Sequence, residues 1–266
     1  MLCNTNLIDL MHKLRLNYQF IYKSNPGNAG DSAIAASTYD FFKKNSINYK
    51  FWNNNNHYDI ASSIAIYAGG GNLIEKLYSD CANFIEKNSK HFAKIILFPA
   101  TIRGYKDLLL RHKAKLIVCC REQKSFDYLR NLDFTVNENV FLTHDMAFTL
   151  NIDDYVQLKP PLFDTVSCFR TDDESLKKLV PPNNHDISLS WNGDFWDNRD
   201  LAHFSTASLI SFLQRYKSLD TDRLHIAILG SLIGMNVRFY PNSYYKNEAV
   251  FDHSICNQFP NTIFIK

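Results

Sequence analysis

Short apolar runs alternate with longer amphipathic stretches along the chain, and this alternation predicts its secondary structure. Short runs rich in Ile, Val, Phe and Tyr are typical of strands, whereas apolar residues spaced three or four apart indicate helices. The predicted strands cover residues 19–22, 49–52, 64–68, 94–98, 116–120, 140–142, 164–170, 187–191 and 237–240. The predicted helices cover residues 31–44, 72–87, 122–131, 172–179, 205–217, 222–232 and 247–255, and an Asn-rich loop covers 53–56.

The order of these elements indicates the fold class. Repeated strand–loop–helix units imply mostly parallel, doubly wound sheets. The stretch 151–161 contains a Pro-Pro pair and interrupts the periodicity, so we predict a boundary there and domains at residues 1–152 and 153–266. We expect an α/β protein with two Rossmann-like domains facing each other across a cleft. Ligands of such proteins bind beyond the carboxyl ends of the strands.

The composition narrows the function classes without naming one. Of 266 residues, 45% are hydrophobic and 21% are charged, as in an ordinary globular protein. The net charge of +2 does not indicate the basic surface that nucleic-acid binders carry. No run reaches the about 18 apolar residues of a membrane span, and the charged stretch 1–16 lacks the apolar core of a signal peptide. We expect a cytoplasmic protein with no nucleic-acid partner.

The cysteines and histidines show no pattern of metal binding. The six cysteines are scattered and form neither a CxxC zinc pattern nor a disulfide framework. No HExxH motif and no carboxylate cluster of a metal-binding type occurs. We therefore expect free thiols, no metal site and no bound cofactor.

Two glycine-rich loops follow predicted strands and precede predicted helices. They are Gly27-Asn28-Ala29-Gly30-Asp31 and Gly69-Gly70-Gly71-Asn72. Glycines let the backbone approach a ligand closely, and the N–H groups of a helix start attract anions. We expect ligand contacts from Gly27, Asn28, Gly30, Gly70, Gly71 and Asn72. The alternatives are a helix-capping turn with Asp31 in its first turn, and glycines that only make room for a neighbouring helix.

The segment Asp222-Arg223-Leu224-His225 carries a cation and a proton donor at a predicted helix start, with Asp222 as the N-cap. Arginine binds carboxylate or phosphate with two parallel hydrogen bonds, and histidine exchanges protons near neutral pH. The alternative is a surface helix with incidental charges. Arg121, which follows the strand at 116–120, and Lys246, in the turn 242–246, are further cationic candidates.

Taken in chain order, these motifs resemble the polysaccharide pyruvyl transferase family. The resemblance includes both glycine loops, Arg121-Glu122 with Ser125, Asp145-Met146-Ala147, Arg223-Leu224-His225, and Asn242-Ser243-Tyr244 with Lys246. It extends from about residue 19 to about residue 255. Any one of these motifs is unspecific, whereas all of them in the order of the family are hard to obtain by chance.

The resemblance implies a glycosyltransferase-B-like architecture and a reaction. The enolpyruvyl unit of phosphoenolpyruvate is transferred onto two hydroxyls of a sugar in bacterial surface polysaccharide synthesis, which forms a cyclic pyruvate ketal and releases phosphate. Arg223 and His225 match the family's donor-binding and catalytic residues, and Arg121 matches a further arginine near the donor. Lys246, with Asn242 and Ser243, matches the family's substrate-binding turn. Residues 1–152 are then the acceptor side and residues 153–266 the donor side.

The residue chemistry fits this reaction. Arg223, Arg121 and Lys246 can hold the carboxylate and phosphate of the donor without a metal ion, and His225 suits the protonation of the methylene carbon. Asp31 is the predicted base for the attacking hydroxyl. The sequence leaves open whether the glycan acceptor is lipid-linked. It also leaves open whether basic residues 13–23 lie at the inner membrane surface, although a solvated face is the more common state of such charges.

Two alternatives stay open. One is a nucleotide-sugar-dependent glycosyltransferase of the same architecture. The other is a non-catalytic glycan-binding module, which the many aromatic residues would suit; Trp191 and Trp196 are the predicted acceptor contacts.

Overall fold

The computed structural model describes residues 2, 4–53, 56–157, 159–176 and 180–266. Its strands are β1 (Gln19–Lys23), β2 (Gly27–Asn28), β3 (Tyr49–Phe51), β4 (Ser63–Tyr67), β5 (Gly70–Ile74), β6 (Lys94–Arg103), β7 (Leu116–Cys120), β8 (Val140–Leu142), β9 (Phe163–Cys168), β10 (Asn192–Gly193), β11 (Tyr216–Thr221), β12 (Asn236–Phe239) and β13 (Thr262–Phe264). Its α-helices are α1 (Thr5–Leu14), α2 (Ala29–Lys44), α3 (Asp80–Asn88), α4 (Lys106–His112), α5 (Gln123–Arg130), α6 (Arg199–Leu213), α7 (Leu224–Leu232) and α8 (Lys246–Val250).

The larger sheet contains seven parallel strands. Its order is β3-β1-β4-β6-β7-β8, and β5 pairs with the second half of β6. Every residue of β4 and β7 is buried. Parallel strands covered on both faces have such continuous apolar runs, which is why the sequence pattern predicted both strands.

The smaller sheet has four parallel strands in the order β13-β12-β11-β9. Burial alternates along β12, with Val237 and Phe239 buried and Asn236 and Arg238 exposed. One face of this sheet is therefore packed on the core, and the opposite face carries polar side chains.

The chain divides into two compact units. The first unit comprises the residues up to Asn25 together with Thr38–Thr149, and the second comprises Pro26–Ser37 and Leu150–Lys266. Residues 26–37 are tied to the second unit because β2 pairs antiparallel with β10, and because the Ser32 hydroxyl donates a hydrogen bond of 3.0 Å to Ser205 Oγ. Both units contain mainly parallel strands, which confirms the predicted α/β class. The predicted domain boundary and the facing arrangement stay predictions.

One predicted element of the first unit is wrong. Residues 72–87 were expected to form one helix, but β5 occupies the start of this segment and α3 begins only at Asp80. The apparent helical stripe fails at Leu77, whose side chain is 36% exposed. Pairing with β6 determines the conformation of β5, and such a distant partner leaves no local periodicity.

Other predictions are wrong in the second unit. A 3₁₀ turn, Ile187–Ser190, replaces the strand expected at 187–191, and the helix expected at 205–217 ends at Leu213. Strand β11 was not predicted, because the polar face of its sheet breaks the apolar run. Residues 172–176 form turns instead of a helix, while 177–179 and two residues of the Asn-rich loop, 54–55, lie outside the described residues.

Among the helices that the structure describes, none has the length and hydropathy needed to cross a bilayer.

Candidate functional site

The junction between β11 and α7 positions Arg223 and His225. Arg223 has extended backbone dihedrals and is the N-cap residue of α7, and its N–H donates a 3.0 Å hydrogen bond to Thr221 Oγ1. The prediction that Asp222 is the N-cap is therefore wrong. The Asp222 carboxylate instead accepts a 2.7 Å hydrogen bond from the backbone N–H of Arg170, just beyond β9.

The Arg223 guanidinium is buried and held by two carboxylates. Its Nε and Nη2 donate to the two oxygens of Asp186 at 2.8 and 2.5 Å, and its Nη1 lies 2.8 Å from Asp172 Oδ2. Only 4% of Arg223 is exposed. This bidentate arrangement fixes the plane of the guanidinium and leaves it little freedom.

A second buried arginine, Arg170, contacts the same Asp172. Its Nε and Nη2 donate to Asp172 at 2.6 and 3.0 Å. The Asp172 carboxylate therefore lies between two guanidinium groups, yet 32% of its side chain is exposed. Burial opposes ionisation of Asp172, but the hydrogen bonds and charge of Arg170 and the charge of Arg223 outweigh this effect and lower its pKa.

Three predicted residues of the turn 242–246 contact Glu174, which was not predicted, and two of them contact its carboxylate. Glu174 Oε2 accepts a 3.0 Å hydrogen bond from Asn242 Nδ2 and is paired with Lys246 Nζ and Arg170 Nη1. The backbone N–H of Ser243 donates to the Glu174 carbonyl at 3.0 Å. Lys246 is buried at the start of α8. Its ammonium group belongs to this network through its contact with Glu174.

The resulting ionic cluster has no surplus of positive charge. The cations are Arg170, Arg223 and Lys246, and the carboxylates are those of Asp172, Glu174, Asp186 and Asp222. Burial raises the pKa of Asp222 to about 6, although the Arg170 N–H and the charges of Arg170 and Arg223 oppose this shift. An anionic ligand would therefore have to take the place of a carboxylate.

The imidazole of His225 packs against the amino end of α2 in the same unit. A Cβ atom added to Gly30 would lie 2.6 Å from His225 Nδ1, so only glycine leaves room for the ring. The Gly30 N–H donates a 2.8 Å hydrogen bond to Asn28 Oδ1, which caps the helix start. The first glycine loop thus accommodates a side chain of the protein. Its predicted ligand contacts stay predictions.

Asp31, the predicted base, lies against the backbone of Gly27. Gly27 has φ +150°, and a Cβ atom there would lie 2.2 Å from Asp31 Oδ2. The Gly27 carbonyl accepts a 3.1 Å hydrogen bond from Trp196 Nε1. Trp196 is fully buried, so the prediction of an acceptor contact for this residue is wrong: its ring belongs to the core of the unit.

In the first unit, the second glycine loop does not precede a helix, because its residues from Gly70 onward form the start of strand β5. Gly69 is required by packing, because a Cβ atom there would lie 2.3 Å from the Pro99 carbonyl oxygen. Gly70 has φ +117°, which favours glycine. A Cβ atom on Gly71 would make only an ordinary contact, 3.9 Å from Arg121 Nη2. Gly71 is also partly exposed, as is Asn72. Of the three glycines, Gly71 alone has neither a close contact nor a positive φ.

Arg121 forms a buried ion pair. Its Nη1 donates to Asp145 Oδ2 at 2.6 Å and its Nε donates to Thr101 Oγ1 at 2.9 Å, with Arg121 1% and Asp145 0% exposed. Glu122, the N-cap of α5, accepts the N–H of Ser125. The resemblance motifs at 121–125 and 145–147 therefore meet around one ion pair of the first unit.

Sequence reasoning did not identify Arg170, Asp172, Glu174 and Asp186. Arg170 follows a strand just as Arg121 does, and this position was a usable signal. The three acids have no such signal, since 172 and 174 lie in a predicted helix and 186 in a predicted loop. The described residues contain no group of three His, Cys, Asp or Glu side chains that could hold a metal ion. Independence from metals stays a prediction.

Comparisons with known proteins agree with the resemblance. The family model of polysaccharide pyruvyl transferase matches residues 28–244. A Bacillus subtilis (strain 168) protein named "Putative pyruvyl transferase EpsO" is 27% identical over 309 aligned positions, which cover 98% of this chain and 92% of that protein. A crystal structure of a functionally uncharacterised Klebsiella pneumoniae protein is 49% identical, with a TM-score of 0.94 and 98% of each chain covered. The chain belongs to the polysaccharide pyruvyl transferase family, and it is a pyruvyl transferase of polysaccharide biosynthesis.

Proposed function

We propose that the protein transfers the enolpyruvyl unit of phosphoenolpyruvate onto two hydroxyls of a glycan sugar, forming a pyruvate ketal and releasing phosphate. The observation that carries this proposal is the junction of β11 and α7. There the buried guanidinium of Arg223 and the imidazole of His225, for which Gly30 leaves room, lie two residues apart. Family membership supplies the reaction class, and the junction supplies an anion-binding group and a proton donor.

Asp172 marks the position that the donor would take. Its carboxylate bridges Arg170 and Arg223. It is also the most exposed acid of the cluster, so a ligand can reach its position from solvent. The carboxylate or phosphate of phosphoenolpyruvate offers the same oxygens to the same two guanidinium groups. Displacing Asp172 frees the faces of Arg170 and Arg223 that it occupied, and the donor takes its place. Binding therefore exchanges one ion pair for another.

His225 then acts as the general acid. It donates a proton to the methylene carbon of the donor, and the adjoining C2 becomes electrophilic. The first sugar hydroxyl bonds to C2 and gives its proton to a base. The second hydroxyl bonds to C2 as the C2–O bond to phosphate breaks, and its proton leaves with the phosphate. One proton enters at carbon and two leave oxygen, so the products are a ketal and hydrogen phosphate.

The test is a thermal shift of the purified protein with phosphoenolpyruvate, beside UDP-sugars and CMP-sugars. A ligand at about 100 times its dissociation constant adds roughly 2.7 kcal/mol to the free energy of unfolding. We expect a shift with phosphoenolpyruvate that Arg223→Ala abolishes. His225→Ala should keep this shift and lose about 10²–10⁴-fold in turnover. A shift with a sugar nucleotide alone would establish the glycosyltransferase alternative and remove the role given to His225.

The remaining parts of the proposal rest on the resemblance. They are the glycosyltransferase-B-like arrangement, the donor contacts of Arg121 and Lys246, the cytoplasmic location and the contact with the inner membrane surface. A lipid-linked acceptor also belongs to this group. Sedimentation with vesicles containing anionic lipid tests the membrane contact: release of the protein by about 0.5 M salt would indicate an electrostatic attachment.

A further inference from the structure

The side chain of Asp186 joins separate parts of the second unit at the candidate donor site. Its Oδ1 accepts a hydrogen bond of 2.8 Å from Arg223 Nε, and its Oδ2 accepts one of 2.5 Å from Arg223 Nη2. Oδ2 also accepts the backbone N–H and the hydroxyl of Thr171, at 2.9 and 3.0 Å. Asp186 is the N-cap residue of the 3₁₀ turn Ile187–Ser190, yet its side chain accepts no hydrogen bond from the described N–H groups of that turn. The carboxylate therefore serves Arg223 and Thr171 instead of its own turn.

The backbone that carries Asp186 is fixed although it has no regular secondary structure. Asn184 Oδ1 accepts the Phe169 N–H at 2.7 Å, and Asn184 Nδ2 donates to the Phe169 carbonyl at 2.8 Å. The His185 N–H donates to the Ser167 carbonyl at 2.8 Å. Residues 184–186 are thus each bonded to a residue at or just beyond the carboxyl end of β9. A side chain supported in this way keeps its position when a neighbouring group moves.

The guanidinium of Arg223 has two edges that can each bind an anion through two N–H groups. One edge is formed by Nε and Nη2, and the other by Nη1 and Nη2. Asp186 occupies the first edge with both of its oxygens. Asp172 lies at the second edge, where its Oδ2 is 2.8 Å from Nη1. The two acids therefore hold Arg223 at different edges, and the second can be vacated without releasing the first.

The two acids also differ in access and in partners. The side chain of Asp186 is 8% exposed and that of Asp172 is 32% exposed. Besides Arg223, Asp186 is bonded to Thr171, which is uncharged, whereas Asp172 is bonded to the guanidinium of Arg170. An anion that arrives from solvent reaches Asp172 first and gains two arginines by replacing it. Replacing Asp186 would gain one arginine and would break the bonds to Thr171.

We propose that Asp186 is a positioning residue, which holds Arg223 by its Nε edge while the donor replaces Asp172 at its Nη1 edge. The inference rests on the proposed function, because it needs an anionic donor at Arg223. An arginine that is already fixed loses little freedom when the donor binds. Without Asp186, Arg223 would turn toward Asp172 and form a bidentate pair, which the donor would then have to break.

The first experiment compares two substitutions that remove the same charge beside the same guanidinium. Isothermal calorimetry measures the dissociation constant of phosphoenolpyruvate on the full-length protein. Loss of a negative charge by itself favours an anion in both variants. We expect Asp172→Asn to lower the dissociation constant, because a competitor is removed, and Asp186→Asn to raise it by about tenfold or more, because the anchor is lost. Unchanged or tighter binding in Asp186→Asn would overturn the proposal.

A milder substitution covers the case in which Asp186→Asn does not fold. Thr171→Val removes the hydroxyl that donates to Asp186 Oδ2 and keeps the backbone N–H. We expect it to weaken binding of phosphoenolpyruvate by about two- to fivefold. The matched control is Thr165→Val, which removes an exposed hydroxyl of β9 and should bind as the wild type does. Equal affinities of the two valine variants would contradict the role of Asp186.

The second experiment measures the position of Arg223 without a donor. ¹⁵N NMR of arginine-labelled protein records the exchange of Nε–H groups with solvent, and the Arg223 signal is assigned by its absence in Arg223→Lys. We expect slow exchange in the wild type and in Asp172→Asn, because Asp172 contacts Nη1 only. In Asp186→Asn we expect fast exchange. The amide oxygen should take the position of Oδ2, which has the larger number of donors, and the NH₂ group would then face Nε–H.

The two experiments together separate the inference from the proposed function. If the wild type does not bind phosphoenolpyruvate and Nε–H exchange differs between the two asparagine variants as expected, the proposed donor fails while Asp186 still positions Arg223. If phosphoenolpyruvate binds and Asp186→Asn does not weaken it, the inference alone fails. Slow exchange that persists in a folded Asp186→Asn variant would also overturn the inference, since Arg223 would then be held by other groups.

Discussion

The two units place buried arginines at strand ends in different ways. In the first unit Arg121 and Asp145 are 1% and 0% exposed and form one sealed pair. In the second unit Arg170 and Arg223 share Asp172, whose side chain is 32% exposed. Arg121 and Arg223 share one sequence pattern, a strand followed by an arginine and a helix, and Arg170 also follows a strand. A buried arginine after a strand is therefore a candidate for binding only when its partner is accessible enough to be replaced.

The largest expected effect breaks the sealed pair. Arg121→Met leaves the Asp145 carboxylate buried without its cation, so we expect a loss of about 3–5 kcal/mol in the free energy of unfolding. Urea denaturation measures it. The control adds Asp145→Leu, which should restore much of the loss because no buried charge remains. If this stable double variant loses its thermal shift with phosphoenolpyruvate, the predicted donor contact of Arg121 is supported. An unchanged shift would mean that Arg121 has only a structural role.

The next largest effect is a pH dependence of stability, which distinguishes Asp222 from acids that only stabilise the fold. Burial raises its pKa to about 6 in the folded state from an ordinary value of 3.8, so ionisation opposes folding. The contribution of Asp222 to the stability of the wild type should fall as the pH rises from about 4 to about 6, and Asp222→Asn should lack this contribution. We expect the variant to be more stable at pH 7 by an amount on the order of 2–3 kcal/mol. Melting curves at pH 4 and pH 7 measure the difference, which should vanish at the lower pH. A variant less stable at pH 7 would make Asp222 a structural residue.

A third effect concerns the space reserved for His225. In Gly30→Ala the added methyl group collides with the imidazole, while alanine favours the helix by about 1 kcal/mol. We expect turnover to fall at least tenfold with stability within about 1 kcal/mol of the wild type. Gly234→Ala is the matched control, because Gly234 has φ +79° and no atom within 4 Å of an added Cβ. It should lose about 1 kcal/mol of stability and keep its activity. Equal turnover of the two variants would contradict the role of Gly30.

The smallest expected effect concerns Asp172, the exposed carboxylate that Arg170 and Arg223 share. Asp172→Asn removes the charge that competes for Arg170 and Arg223, so the dissociation constant of phosphoenolpyruvate should decrease about three- to tenfold, or roughly 1 kcal/mol. Isothermal calorimetry measures it, with Asp164→Asn as the control. Weaker binding in Asp172→Asn would mean that Asp172 orients the arginines instead of occupying the donor's position.

The sequence by itself determined the α/β class and the positions of the main chemical groups. Buried strands such as β4 and β7 are apolar throughout, so their periodicity is visible locally. Arg223 and His225 were found because a helix start is also a local pattern. The order of the motifs indicated the family, which the family model then matched over 28–244.

Only the tertiary structure decided which residues became partners. Strand β5 depends on β6, and Asp172 and Asp186 depend on arginines that approach from other elements. The amino end of α2 belongs to the second unit because of contacts with residues near 192–206. Periodicity records one segment at a time, whereas strand pairing and the burial of charge depend on neighbours far away in the chain. For this reason the catalytic candidates were readable from the sequence, and the carboxylates that hold or compete with them were not.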